Sequence, residues 1–182
     1  VEVQRASAIS HALNNDVATA EEQLAAADPS SPDSQAAAGI IASMKGDAED
    51  AAKKLQSAIA ANTSIQNEAL TRLGLLLMEQ GNYGEALTRL NDASTKDPNN
   101  DTARYFRALC LERQKLSAQA LSEYDAMSQK QGAYQSRAAI AAARLYLAQP
   151  HAARAPQILG RVPPPSGTES ADLETVRGRA TR

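Results

Sequence analysis

Small and large residues recur along this chain at one interval. Gly39, Gly74 and Ala108 stand 35 and 34 residues apart, and Ala51, Ala86 and Ala120 keep the same spacing. So do Leu55, Leu90 and Tyr124, and likewise Ala58, Ala93 and Met127. A fixed period of about 34 residues is the mark of a repeat architecture. Each period is one supersecondary unit whose apolar side is buried only by stacking on its neighbours.

What fills each period is helical. Between residues 1 and 162 the pattern is helix, short break, helix, and no strand-like alternation of β-branched residues lasts more than a few positions. The breaks carry helix-ending and helix-starting residues: Asn14-Asn15-Asp16, Asp28-Pro29, Gly46-Asp47, Gly81-Asn82, Asp97-Pro98-Asn99-Asn100 and Gln149-Pro150. A Gly or Asn past a helix end permits the left-handed turn, and an Asp or Asn just after it caps the next helix. These breaks leave helices of about 11–15 residues. Aromatics make up only 3% of the chain, and its many alanines suit helices whose backbones approach closely.

Asn67–Asn100, reading NEALTRLGLLLMEQGNYGEALTRLNDASTKDPNN, resembles one complete tetratricopeptide repeat. Leu70, Leu73-Gly74, Leu77, Gly81, Tyr83, Ala86, Leu90, Ala93 and Pro98 match that family's pattern. The resemblance implies an all-α fold, an α-solenoid of antiparallel helix pairs wound into a tetratricopeptide-like superhelix. The expected units are 1–31, 32–66, 67–100, 101–135 and 136–162. Residues 163–182 follow as a Pro-rich linker (Pro163-Pro164-Pro165) and either a capping helix or the start of a further repeat. Two departures stand out. Arg104 and Arg107 occupy places where apolar residues are expected, which suggests a rotated first helix or a shifted register in the fourth unit. Pro156 falls inside the second helix of the fifth.

Several function classes are disfavoured on composition and motifs. A formal net charge of -2 and a pI near 5.7 do not make a nucleic-acid surface. No run of about 18 apolar residues is present to insert into a membrane. Cys110 is the single cysteine; mid-helix among apolar residues, it reads as core filler. His11 and His151 belong to no nucleophile motif. Asp97–Asp101 begins like a calcium loop, but Thr102 stands where such a loop needs Gly and Ala108 where it needs Glu. The expectation is a protein that is not an enzyme and takes no cofactor. The chain opens Val1-Glu2 without an initiator Met, which points to a processed form or a fragment.

In tetratricopeptide arrays the first helix of each pair lines a concave groove. Carried onto this sequence, the resemblance puts Ile40, Leu75, Met78, Tyr105, Leu109 and Ile140 in a partner-binding groove, with Arg137, Arg144 and Leu147 beside them. The Lys and Asn clamp that chaperone-binding members use for a peptide carboxylate is absent: its places hold Ala36, Thr71, Tyr105, Ile40, Leu75 and Leu109. An apolar strip suits an amphipathic helix or an extended apolar peptide. The same side chains would serve equally as internal packing against neighbouring helices or the C-terminal segment. The implied role is a scaffold or adaptor for a protein or peptide partner, with self-association open. The Ala- and Gln-rich units and the Val-Pro-Pro segment also resemble periplasmic repeat arrays of bacterial exopolysaccharide exporters and pilus-assembly factors. That would place the chain in the periplasm as part of an envelope assembly or export component. The alternative is a secretion chaperone shielding an apolar client segment.

Overall fold

The computed structural model describes residues 2–14, 16–148, 152–160 and 168–180. The Pro163–Pro165 linker and His151 lie outside these residues. Among the described residues the fold is all-α, without strands. The helices are α1 (Glu2–Leu13), α2 (Val17–Ala25), α3 (Pro32–Lys45), α4 (Ala48–Ala60), α5 (Gln66–Glu79) and α6 (Tyr83–Lys96). They continue with α7 (Asp101–Arg113), α8 (Ser117–Ser128), α9 (Gln135–Leu147), a 3₁₀ turn (Ala152–Arg154), α10 (Ala155–Leu159) and α11 (Thr168–Ala180). Two compact units divide the chain, Val1–Asp97 and Pro98–Arg182.

In Val1–Asp97 the helices pack as successive hairpins, α1 on α2, α3 on α4 and α5 on α6, with α3 also against α1, α2 and α5. The close approach within the α3–α4 and α5–α6 hairpins follows from the glycine on the first helix of each. A Cβ added at Gly74 would stand 2.6 Å from Leu90 Cγ and 2.8 Å from Leu90 Cδ2. A Cβ added at Gly39 would stand 2.9 Å from Lys54 Cβ and 3.1 Å from Leu55 Cγ. Carbon atoms pack comfortably at about 3.5–4.0 Å, so only glycine fits either place. The core between the hairpins is built from Ala12, Ala20, Ala36, Ile40, Leu55, Ala58, Ala69 and Leu73.

The α3–α4 and α5–α6 turns share one backbone form. Gly46 (φ +84°) and Gly81 (φ +77°) take the left-handed conformation that side chains resist. Asp47 and Asn82 follow, and their side chains accept from the backbone N–H of Asp50 and Glu85. The turn between α7 and α8 has the same shape with neither residue type. Lys115 holds φ +65°, and Leu116 stands in the capping place without a side-chain cap, exposed. Here packing of the two helices imposes a turn that local sequence does not favour.

In Pro98–Arg182, α7 packs on α8, α8 on α9, and α9 on α10 and α11. Ala108, Leu111, Ala120, Tyr124 and Met127 are all buried. The expected rotation of α7 is therefore absent. Arg104 and Arg107 keep their places because Glu123 of α8 meets both, at 3.7 Å and 2.6 Å: an ion-paired trio replaces an apolar contact. The fifth unit also departs from expectation. Its second helix is shortened to Ala155–Leu159 with Pro156 as its second residue, in the first turn, where a missing N–H breaks no helical bond. The α9 helix is the most enclosed element of this unit, with Ala138, Ala139, Ala141, Ala142 and Ala143 all buried.

Candidate functional site

On α5, Leu75 and Met78 are spaced three residues apart and so share a helix face; both are partly exposed. Thr71, one turn earlier, is buried and its hydroxyl donates to the Asn67 carbonyl at 2.9 Å. Ile40 is placed differently. It is 0% exposed, enclosed because α3 is packed by α1, α2, α4 and α5 at once. In this structure Ile40 is core and offers a partner no surface.

The Pro98–Arg182 unit gathers a richer surface. The ring of Tyr105 stacks on Tyr134 with centroids 4.8 Å apart and planes at 20°. It meets Phe106 edge-on at 5.3 Å and Tyr124 at 5.7 Å. Such arrangements contribute about 0.5–1.5 kcal/mol per pair beyond burial. The Arg137 guanidinium lies 5.7 Å from the Tyr134 ring centre. Leu109, one turn along α7 from Tyr105, is partly exposed.

Glu112 joins three helices: one carboxylate oxygen accepts from the Tyr124 hydroxyl at 3.1 Å and the other from Arg144 at 2.9 Å. Burial pushes the Tyr105 hydroxyl above the usual tyrosine range, while Arg137 and Arg144 oppose that shift. It stays protonated and available as a donor at neutral pH. Burial also raises Tyr124, and the nearby Glu112 carboxylate adds to the effect. Cys110 is pushed up to about 11 by burial; it is a core thiol, poorly ionised and enclosed.

Ile140 is 8% exposed. Beside it, Ile140, Arg144 and Leu147 of α9 meet Asp172, Thr175, Val176 and Arg179 of α11 around a small cleft of about 130 Å³. The C-terminal helix thus covers that part of the face.

Tyr105, Arg137 and Arg144 are therefore brought together, whereas Ile140 faces α11 across the small cleft. Sequence reasoning missed Phe106 and Tyr134. The available signal was composition by segment: the chain has five Tyr and one Phe, and four of those six rings fall between 105 and 134.

Among the described residues, no group of three or more His, Cys, Asp or Glu is placed to hold a metal ion. No helix among them is long and apolar enough to cross a membrane.

Paired helices, with Gly39 seated against Leu55 and Gly74 against Leu90, define a helical-repeat fold. A family model described as the tetratricopeptide repeat matches residues 71–136. None of the curated proteins matches the chain.

Among solved structures, PilF of Pseudomonas aeruginosa is similar, with 23% identity and a TM-score of 0.75, over 99% of this chain and 88% of that one. MamA AMB-1 is similar at 19% identity and a TM-score of 0.68, over 93% and 94% of the two chains. YrrB, described as a TPR protein with an unusual peptide-binding site, is similar at 20% identity and 0.63, over 96% and 88%. At these identities the likeness is one of fold.

Proposed function

We propose that this chain holds a protein partner on the exposed sides of its first helices, as a scaffold of five repeat units over 1–162. The observation that carries this reading is the seat of α11. Leu173 (2% exposed) and Val176 (7%) of that helix are buried, and Val176 borders the Ile140, Arg144 and Leu147 face of α9. A helix thus already covers a first-helix face inside this chain through two apolar side chains, which is the helix-in-groove mode of recognition. On α7 the corresponding face presents Tyr105 and Leu109, flanked by Arg137 and Arg144; within Val1–Asp97, α5 presents Leu75 and Met78. Aromatic and Arg side chains are the types that most often anchor partners. The peptide-binding description of YrrB supports a peptide or helix as the occupant.

A photocrosslinking residue at 75 or 109 is expected to yield a discrete protein adduct in cells, and one at the exposed Thr88 of α6 none. Leu75→Glu and Leu109→Glu should remove those contacts while costing about 1 kcal/mol or less of stability, as at partly open sites. Ile40→Glu should unfold its unit, because it buries a lone carboxylate. Adducts at 88 but not at 75 or 109, or unfolding by both leucine changes, would overturn the reading. The finer placement, as an envelope-assembly or exopolysaccharide-export component in the periplasm, rests on composition and the Val-Pro-Pro segment. Fractionation of the source cell tests it. Constitutive dimerisation through residues 1–31 would instead favour the secretion-chaperone role.

A further inference from the structure

The Val1–Asp97 unit carries a second concavity that the partner-groove reading does not use. It opens between α2, α3 and α4 with a volume of about 810 Å³, lined by Leu24, Ala38, Ile41 and Ala42 among apolar groups. That volume lies within the roughly 300–1,000 Å³ typical of sites that enclose small ligands or a few residues of peptide. On α3, Ser34, Ala38, Ile41 and Lys45 recur at helical spacing along one face. At 100° per residue, Ala36, Ile40 and Ser43 fall on the opposite face. The cleft is therefore distinct from the side of α3 to which the groove positions belong.

Two features show what the cleft lacks. Ser34, 3% exposed, lines it, and its hydroxyl oxygen is buried with no hydrogen-bond partner. A buried hydroxyl left unpaired is costly, which favours an occupant of the cleft that can supply its partner.

The charges are also unbalanced. Glu21, Asp47 and Asp50 face Lys45 and Lys54 around the rim. Lys45 is held by Glu21 at 2.6 Å and Lys54 by Asp50 at 2.5 Å. Asp47 caps α4 by accepting from the Asp50 N–H at 3.3 Å and shares Lys45 with Glu21, so three carboxylates on the rim face two ammonium groups.

We propose that this cleft is a second peptide site, taking a short extended segment that sets an apolar side chain on Leu24, Ala38 and Ile41. The segment hydrogen-bonds Ser34 through its backbone and directs a Lys or Arg at Asp47. A peptide backbone supplies both donor and acceptor to a hydroxyl, and a basic side chain balances the excess negative charge of the rim.

The test is an amide chemical-shift titration of the whole chain with two blocked tetrapeptides, one of two leucines flanked by lysines and one of two leucines flanked by glutamates. The lysine peptide should shift Ser34, Ala38, Ile41, Ala42 and Asp47, and bind at least tenfold more tightly than the glutamate peptide. Ser34→Ala should weaken it about fivefold, the value of one hydrogen bond, without lowering the melting temperature. Asp47→Asn, which keeps the cap, should erase the preference between the peptides. Equal binding of the two peptides, shifts confined to α5, or a Ser34→Ala variant that melts lower yet binds as well would each overturn the site. The partner groove is untouched by these variants, so its crosslinks at 75 and 109 fail or succeed independently.

Discussion

Gly74 stands against Leu90 so closely that the effect of a single methyl can be worked out. The Cβ of Gly74→Ala would meet Leu90 Cγ at 2.6 Å and Cδ2 at 2.8 Å, about 1 Å inside ordinary carbon contact. Leu90 is 0% exposed, so its branch point cannot swing into solvent. Overpacking of this kind costs about 1–3 kcal/mol. Replacing glycine in a helix interior returns about 1 kcal/mol through lower backbone entropy. The net expectation is a destabilisation of about 1 kcal/mol. Leu90→Ala alone should cost about 2–5 kcal/mol through the cavity it leaves.

In that background the clash is gone and the helical gain remains, so Gly74→Ala should then stabilise by about 1 kcal/mol. The change of sign, a coupling of about 2 kcal/mol, is the decisive quantity of the double-mutant cycle. Urea denaturation followed by far-ultraviolet circular dichroism measures all four proteins. If Gly74→Ala stabilises the parent and the Leu90→Ala variant alike, the two helices do not approach as described.

The α7–α8 turn predicts a gain. Lys115→Gly with Leu116→Asn should relieve the positive φ and supply the missing cap, raising stability by about 1–2 kcal/mol in the same denaturation assay. Tyr124 predicts a pH dependence. Its folded pKa is raised by burial and the Glu112 carboxylate, so its contribution is whole below the unfolded value of about 10 and is lost as pH rises beyond it, by up to about 1.4 kcal/mol per pH unit. Tyr124→Phe should flatten the stability profile between pH 9 and 11, roughly the window set by that reference value; an unchanged slope would mean that Tyr124 ionises freely.

The repeat was legible because its signal is steric and recurs. Gly39 with Leu55, Gly74 with Leu90 and Ala108 with Tyr124 each place a small residue sixteen positions before a large one, the separation that a two-helix hairpin brings into contact. Charged substitutions carry no such period. Arg104 and Arg107 looked like errors of register because their partner Glu123 lies on the facing helix, and only packing reveals the trio.

Burial was legible only in part. Ile40 and Leu75 occupy equivalent repeat positions, yet one is core and the other half-open, because α3 is enclosed on more sides within its unit. Tyr134 escaped notice because it sits just ahead of α9 in a turn, where helix periodicity assigns no face. For Ile140 the sequence leaves groove and internal packing equally open, and what decides is α11, a helix that follows the recognisable repeats.

The enclosure of α9 has a consequence for the order in which the molecule is made. The hairpins of Val1–Asp97 close on helices that are already synthesised, each completed by the segment directly behind it. The run of buried alanines in α9 is covered partly by α10 and α11, and so waits on residues up to Ala180. At about 5–20 residues per second, that leaves the α9 face uncovered for roughly 2–7 s on a nascent chain. During that interval the same surface that α11 will take is open to any other helix that can offer it apolar side chains. A folding chain is therefore most exposed to mispairing or to chaperone capture after Leu147 has emerged and before Leu173 and Val176 have followed it.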